Sequence, residues 1–128
     1  MSMRAIILLS ALTTLPPVAQ GQAKIEFNRD VRPILAENCF ACHGPDPGTR
    51  EADMRLDTED GFFAEREGAP PVVVRGKPEE SELYLRLVTE DPDELMPPAE
   101  SHKKLTSTQI SLVRDWITEG APWQAHWS

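Results

Sequence analysis

The feature that most constrains this chain is Cys39-Phe-Ala-Cys42-His43, in which two cysteines three residues apart are followed directly by a histidine. Cys-x-x-Cys-His is the attachment signature of a c-type haem. On a helical turn the two thiols lie on one side, where they can add to the two vinyl groups of one porphyrin edge. His43 then lies beneath the ring, where its imidazole can bind the iron. The motif predicts one covalent haem c with its iron.

Three other uses of the cysteine pair compete with this interpretation. A disulfide between Cys39 and Cys42 suits an exported protein but leaves His43 without a role. A thioredoxin-like redox pair requires a preceding strand, whereas this motif follows an amphipathic helix. A zinc site requires four ligands and would have to recruit His43, His102 or His126 at irregular spacing. We favour haem because the motif agrees with an export signal.

That signal lies at the N-terminus, where a basic start is followed by an apolar run from Ala5 to Leu15 and then by Pro16-Pro17. This order is typical of a secretory signal peptide. The apolar run is shorter than the roughly 20 residues that span a bilayer as a helix. Residues 1–23 are therefore predicted to be a signal peptide and residues 24–128 the mature domain, which is exported to the periplasm or another extracytoplasmic compartment. No membrane span is expected after cleavage.

Charge and cysteine content exclude other classes of protein. The chain has 128 residues, with 13 basic and 21 acidic side chains and a formal net charge of -8. This balance excludes a basic nucleic-acid footprint, so no nucleic-acid partner is expected. Two cysteines cannot form a scaffold with several disulfides. The composition indicates one small globular domain.

The hydrophobic spacing predicts an all-α domain. The first predicted helix runs over residues 29–38, with Asn28 as its cap and Pro33 delaying or bending it. A second runs over residues 79–89, and a third starts at a Thr106/Gln109 capping box and ends at Gly120. Between the first two helices lie two short apolar islands that are candidates for a short two-stranded β ladder, residues 54–56 and 72–74.

The second axial position of the iron has four candidate ligands, which are Met54, Met96, His102 and His126. Met96 follows His43 by 53 residues and lies in the loop Leu95-Met-Pro-Pro98, between two predicted helices. A methionine in a proline-braced, acidic loop has little core to fill, so Met96 is the preferred ligand. Met54 is expected to be a packing residue and His102 to be exposed, whereas His126 is expected to be either a surface side chain or a tail contact.

Four blocks of the sequence resemble the Planctomycete-type cytochrome c domain. They are Phe27–Leu35, Cys39–Gly44, Leu95–Pro98, and the C-terminal group Asp115-Trp-Ile117, Gly120-Ala-Pro-Trp123 and His126-Trp127. The resemblance implies a class I cytochrome c architecture with Cys39 and Cys42 covalently bound, His43 proximal and Met96 distal. In that family the domain commonly opens a longer protein, so further C-terminal domains are an expectation.

Several other residues are candidates for supporting roles. Trp116 is expected either to pack on the porphyrin edge or to belong to an ordinary core. Arg55 and Arg75 are candidates to pair with the haem propionates, because a guanidinium matches a carboxylate. The carbonyl at Pro45 is a candidate acceptor for the imidazole Nδ1 proton of His43.

With His43 and Met96 both bound, the iron has no open position, and no other catalytic group is evident. The sequence therefore predicts a one-electron carrier with no enzymatic residues, which exchanges electrons with redox proteins that the sequence does not identify. The alternative is a haem peroxidase or a gas or redox sensor, in which the sixth ligand is labile.

Overall fold

The computed structural model describes residues 14–17 and 23–126. Most of the predicted signal peptide, residues 1–23, lies outside the described residues, and its removal stays a prediction. None of the helices found in the described ranges is long and apolar enough to cross a membrane.

The described residues form a helical domain without a β-strand, which confirms the all-α prediction for this part of the chain. Four α-helices follow one another along the chain, and three short helical turns of other types accompany them. The α-helices are α1 Arg32–Asn38, α2 Glu59–Phe63, α3 Glu82–Val88 and α4 Ser107–Thr118. The others are a π-helical turn, Phe27–Val31, and two 3₁₀ turns, Pro78–Glu80 and Ala99–Ser101.

The first predicted helix ends at Asn38 as expected but has a different beginning. Pro33 lies in the first turn of α1, where its missing N–H group costs no hydrogen bond. The preceding residues form the π-helical turn, so the α-helix begins late, at Arg32, as the proline predicted. The capping prediction for Asn28 was wrong, because this residue lies inside the π-helical turn and its side-chain amide donates to the Ala125 carbonyl at 2.8 Å.

The second predicted helix, residues 79–89, is divided at Ser81 into a 3₁₀ turn and α3. Ser81 is fully buried, and its hydroxyl donates to the Lys77 carbonyl at 2.8 Å and accepts from the Val74 amide at 2.9 Å. These tertiary bonds keep the Ser81 backbone extended and prevent one continuous helix.

The capping box at the start of α4 is confirmed, since Thr106 and Gln109 exchange both expected hydrogen bonds. Gly120 follows the helix with a φ of 98°, a conformation that favours glycine after a helix end. A short helix was missed: α2 begins after Thr58, whose hydroxyl accepts from the Gly61 amide. Thr58 followed by Glu59 and Asp60 was the available signal.

The predicted β ladder between residues 54–56 and 72–74 was wrong. The Leu56 amide donates to the His43 carbonyl at 2.8 Å, and the Val73 amide donates to the Phe62 carbonyl at 2.9 Å. The Val74 amide is bound by Ser81. The apolar islands are buried by packing against helices, and their backbone donors already have other partners.

An aromatic cluster forms the centre of the core. Phe27 lies 5.3 Å from Trp116 and 4.4 Å from Trp123 between ring centroids, and Phe62 lies 5.9 Å from Trp116. These rings come from the π-helical turn, α2, α4 and the segment after α4. The cluster therefore joins the two ends of the described domain.

The buried hydroxyl of Ser81 generates a prediction about stability. Ser81→Ala leaves the Val74 amide and the Lys77 carbonyl without this partner, so the free energy of unfolding should fall by about 1–3 kcal/mol. Urea denaturation of the cofactor-loaded protein measures the change. Ser107→Ala is the matched control, because Ser107 is exposed at the start of α4. Equal losses in the two variants would contradict the role given to Ser81.

Candidate cofactor site

The Cys-x-x-Cys-His motif forms a hydrogen-bonded turn directly after α1. The Cys39 amide donates to the Leu35 carbonyl at 2.7 Å, and the His43 amide donates to the Cys39 carbonyl at 2.8 Å. The Leu56 amide then binds the His43 carbonyl at 2.8 Å. Helical hydrogen bonding before the motif and a tertiary bond after it fix the orientation of the turn.

This turn borders a cavity of about 590 Å³. A volume of this size lies within the range of about 300–1,000 Å³ that is usual for cofactor and ligand sites. The four predicted site residues, Cys39, Cys42, His43 and Met96, all line it. The rest of the lining is mainly apolar and includes Ala41, Met54, Leu56, Ala69, Val72, Leu83, Leu87, Pro97 and Pro98.

Met96 reaches the cavity because its loop is attached to two helices. The Met96 amide donates to the Arg86 carbonyl of α3 at 2.9 Å. Farther along the loop, the Lys103 ammonium donates to the carbonyl of Glu37 in α1. The peptide bond between Met96 and Pro97 is cis. The loop that carries Met96 is thus attached to α3 at one point and to α1 at another.

The imidazole of His43 has a buried Nδ1 atom without a hydrogen-bond partner in the described part of the chain. The expectation that the Pro45 carbonyl accepts this proton was wrong. Arg50 donates from Nε to the Gly44 carbonyl at 3.0 Å and from Nη2 to the Pro45 carbonyl at 3.1 Å. The guanidinium group therefore occupies the acceptor that was assigned to His43.

The two cysteines are free thiols in the structure, with Cys39 half-buried and Cys42 exposed. Burial raises the pKa of the Cys39 thiol to about 11, although the neighbouring Lys103 ammonium acts in the opposite direction. Cys39 is therefore protonated at neutral pH. A redox-active Cys-x-x-Cys pair depends on a lowered pKa, so this environment does not suit the thioredoxin-like alternative.

Of the other three candidate ligands, the fold places only one at the cavity. Met54 lines the cavity together with Met96, whereas His102 is exposed outside it, with a left-handed φ of 57° after a 3₁₀ turn. His126 lies near the C-terminus, away from the cavity lining. The zinc alternative required one of these histidines beside the cysteines. Within the described ranges, no group of three or more His, Cys, Asp or Glu side chains is placed to hold a metal ion.

The arginines predicted to bind propionates lie elsewhere. Arg55 pairs with Asp57 at 2.6 Å, and Arg75 stacks on the Phe63 ring at 3.6 Å from its centroid. Trp116 belongs to the aromatic core and donates from Nε1 to the Pro122 carbonyl at 3.0 Å. None of the three lines the cavity, so of the two expectations for Trp116 the core position is confirmed.

Two other arginines, Arg66 and Arg86, do line the cavity and were missed by the sequence analysis. Both contact Glu82, which lies four residues before Arg86 on α3. The i, i+4 spacing of Glu82 and Arg86 was readable from the sequence. Nothing in the sequence indicated that Arg66 would meet them.

The fold and this cavity define a small helical domain with a mainly apolar site beside a Cys-x-x-Cys-His turn. Residues 39–100 match the family model described as Planctomycete cytochrome C, so this segment is similar to that family. The match confirms the resemblance found in the sequence and indicates a c-type cytochrome. It includes the Cys39–His43 turn and Met96. Comparisons with curated proteins and with solved structures gave no match.

The glycine after the motif generates a second prediction. Gly44 is buried, and a Cβ atom at this position would overlap the Phe40 carbonyl oxygen. Gly44→Ala should therefore displace the turn and lower the free energy of unfolding by about 1–3 kcal/mol, as overpacking does elsewhere. Thermal unfolding and the yield of cofactor-loaded protein measure the effect.

Gly48→Ala is the matched control in the same loop. There an added Cβ meets only the side chain of Asp46, at 3.2 Å. If the Gly48 variant loses as much stability as the Gly44 variant, the close approach to Phe40 is not the cause.

Proposed function

We propose that residues 24–128 form a monohaem c-type cytochrome domain that carries single electrons through a haem bound covalently at Cys39 and Cys42. One observation carries the proposal: these cysteines, His43 and Met96 line one mainly apolar cavity, although Met96 lies 53 residues beyond His43. Residues so distant in sequence meet at one site only because the fold brings them there.

The described residues fit a haem in three respects. The cysteines of the turn offer two thiols, and the addition of each S–H bond across one vinyl double bond needs no oxidant. His43 lines the cavity with an imidazole, a side chain that commonly binds haem iron. The cavity offers a mainly apolar lining to the flat, apolar face of a porphyrin. When bound, haem supplies an iron that changes reversibly between two oxidation states.

The protein side chains then determine the chemistry. His43 and Met96 would be the side chains that bind the iron, and the soft thioether of Met96 would raise the reduction potential. The apolar lining disfavours the additional positive charge of the oxidised iron, so it also favours the reduced form. With both side chains bound to the iron, substrates would have no access to it. This arrangement supports electron transfer over catalysis.

The site of action and the partners follow from the same proposal. Haem of this type is attached outside the cytoplasm, which agrees with the signal peptide predicted over residues 1–23. We infer that the mature domain exchanges electrons with other redox proteins in an extracytoplasmic compartment. Domains that follow in a longer protein are candidate partners, as the resemblance implies.

The first functional prediction is covalent attachment. When the protein is produced in a host that matures c-type cytochromes, mass spectrometry after denaturation should show one haem retained. The Cys39→Ala/Cys42→Ala variant should lose it, because no thioether bond can form. A wild-type mass without haem, under conditions in which a known cytochrome c is matured, would refute the proposal.

The second functional prediction concerns the distal ligand. Met96→Ala should give a high-spin component in the absorption spectrum, lower the reduction potential, and permit carbon monoxide binding and some peroxidase activity. The thioether-to-iron band should disappear at the same time. Wild-type protein should bind carbon monoxide poorly at neutral pH.

Met54→Ala is the matched control, since Met54 lines the same cavity. Its spectrum should keep the thioether band. A loss of the band in the Met54 variant and its retention in the Met96 variant would move the ligand to Met54. Fast carbon monoxide binding by the folded, reduced wild-type protein would instead favour a sensor or peroxidase.

A further inference from the structure

Two arginines meet around one carboxylate at the cavity. Arg66 contacts the Oε2 atom of Glu82 through Nη2, and Arg86 lies 3.3 Å from Oε1 of the same carboxylate through both Nε and Nη2. All three side chains line the cavity. They are partly exposed, so a ligand in the cavity can reach them while water still screens part of their charge.

Backbone carbonyls hold the two guanidinium groups in place. Arg66 donates to the Pro70 carbonyl from Nε at 2.9 Å and from Nη2 at 2.7 Å. Arg86 donates from Nη1 to the Glu94 carbonyl at 3.3 Å. A guanidinium has five N–H donors, and these contacts leave donors for a further acceptor. Glu82 acts as a positioning residue that keeps both groups at one part of the cavity.

The charge of the lining differs in sign from that of the chain. The whole protein has a formal net charge of -8. The ionisable side chains on the cavity are three cations, two carboxylates and one imidazole: Arg66, Arg86, Lys103, Glu51, Glu82 and His43. An apolar cavity with an excess of cations is suited to a ligand that is mainly apolar but carries carboxylates.

The three cations do not have the same position. Lys103 acts electrostatically on Cys39 and binds Glu37 at the end of α1, so it lies beside the cysteine turn. Arg66 and Arg86 belong to the loop after α2 and to α3. In a porphyrin, the vinyl-derived carbons and the carboxylate side chains lie on different edges. Since Lys103 is engaged beside the cysteine turn, Arg66 and Arg86 are the cavity cations left to bind carboxylates on another edge.

We propose that Arg66 and Arg86 form the binding site for the two propionate carboxylates of the cofactor, with Glu82 orienting them. This inference rests on the proposed function, since it requires a haem in the cavity. It replaces Arg55 and Arg75, which are engaged outside the cavity. Arg86 has a second connection to the site, because its carbonyl holds the Met96 amide at 2.9 Å.

The proposal has a measurable consequence in the reduction potential. A guanidinium beside a propionate favours the ionised form and lowers the pKa of that carboxyl. In the wild-type protein the propionates should stay ionised over the measured range, and the potential should be nearly independent of pH. Without the arginine, the propionate pKa rises into the range. Protonation on acidification then removes a negative charge near the iron and raises the potential.

The experiment compares the haem-loaded wild-type protein with Arg66→Gln and Arg86→Gln by redox titration between about pH 5 and pH 9. In each variant the potential should be lower than in the wild type at alkaline pH, because a positive charge is lost. It should then rise as the pH falls, in a step that the wild type lacks. Arg114→Gln removes the same charge from the outer surface of α4, where Arg114 pairs with Asp115, and should keep the wild-type profile.

Glu82 is a protein carboxyl in contact with both arginines, so a double variant separates its contribution from that of the propionates. Arg86→Gln combined with Glu82→Gln should retain the pH-dependent step if a propionate is responsible. Disappearance of the step in the double variant would assign it to Glu82 and overturn the proposal. Arg66→Lys and Arg86→Lys keep the charge, so each should give a smaller step than the matching glutamine variant. If a glutamine variant does not fold, the lysine variant should still show a step that the wild type lacks.

Two results separate a failure of the proposed electron-carrier function from a failure of the proposed propionate site. If the wild-type protein carries no covalent haem, the proposed function fails. If all variants retain haem and the thioether band but their profiles match that of Arg114→Gln, the electron-carrier proposal stands and the propionate site is refuted.

Discussion

The hydrogen-bonded turn from Cys39 to His43 is the constraint on which the site depends. Its amides continue the pattern of α1 through the Leu35 carbonyl, and the His43 carbonyl is bound by the Leu56 amide. One short segment thereby presents two thiols and an imidazole to the same cavity. The buried Gly44 keeps the backbone after the turn close to Phe40, where a side chain would not fit. The geometry of the Cys39–His43 turn is consequently set by backbone hydrogen bonds.

The second half of the site depends on a loop that has little regular structure of its own. Met96 is held by the Arg86 carbonyl of α3, and Lys103 contacts Glu37 of α1. Because α3 also contributes Leu83 and Leu87 to the cavity, this helix positions both the apolar wall and the loop that carries Met96. The proposed axial ligand is thus supported by tertiary contacts, which the order of residues in the loop does not encode.

The domain separates its structural core from its candidate site. Trp116 and Phe27 belong to an aromatic cluster that joins the π-helical turn to α4, and neither lines the cavity. Leu56 and Val72 connect the two regions, since they are buried and also face the cavity. A small chain can in this way stabilise its helices by aromatic packing while one wall remains available for a large apolar ligand.

The sequence by itself determined the features that depend on local spacing. Three such features require only neighbouring residues, and the structure contains all of them. They are the Cys39–His43 turn, the Thr106–Gln109 capping box and the end of the first helix at Asn38. Tertiary structure decided the break at Ser81, the absence of a ladder in the described residues, and the position of Arg66 and Arg86 rather than Arg55 and Arg75 at the cavity. The physical reason is that these features depend on which partner each donor or charge meets. A buried hydroxyl, a backbone amide and a guanidinium each have several partners within reach along the chain, and only the packing of the helices selects one.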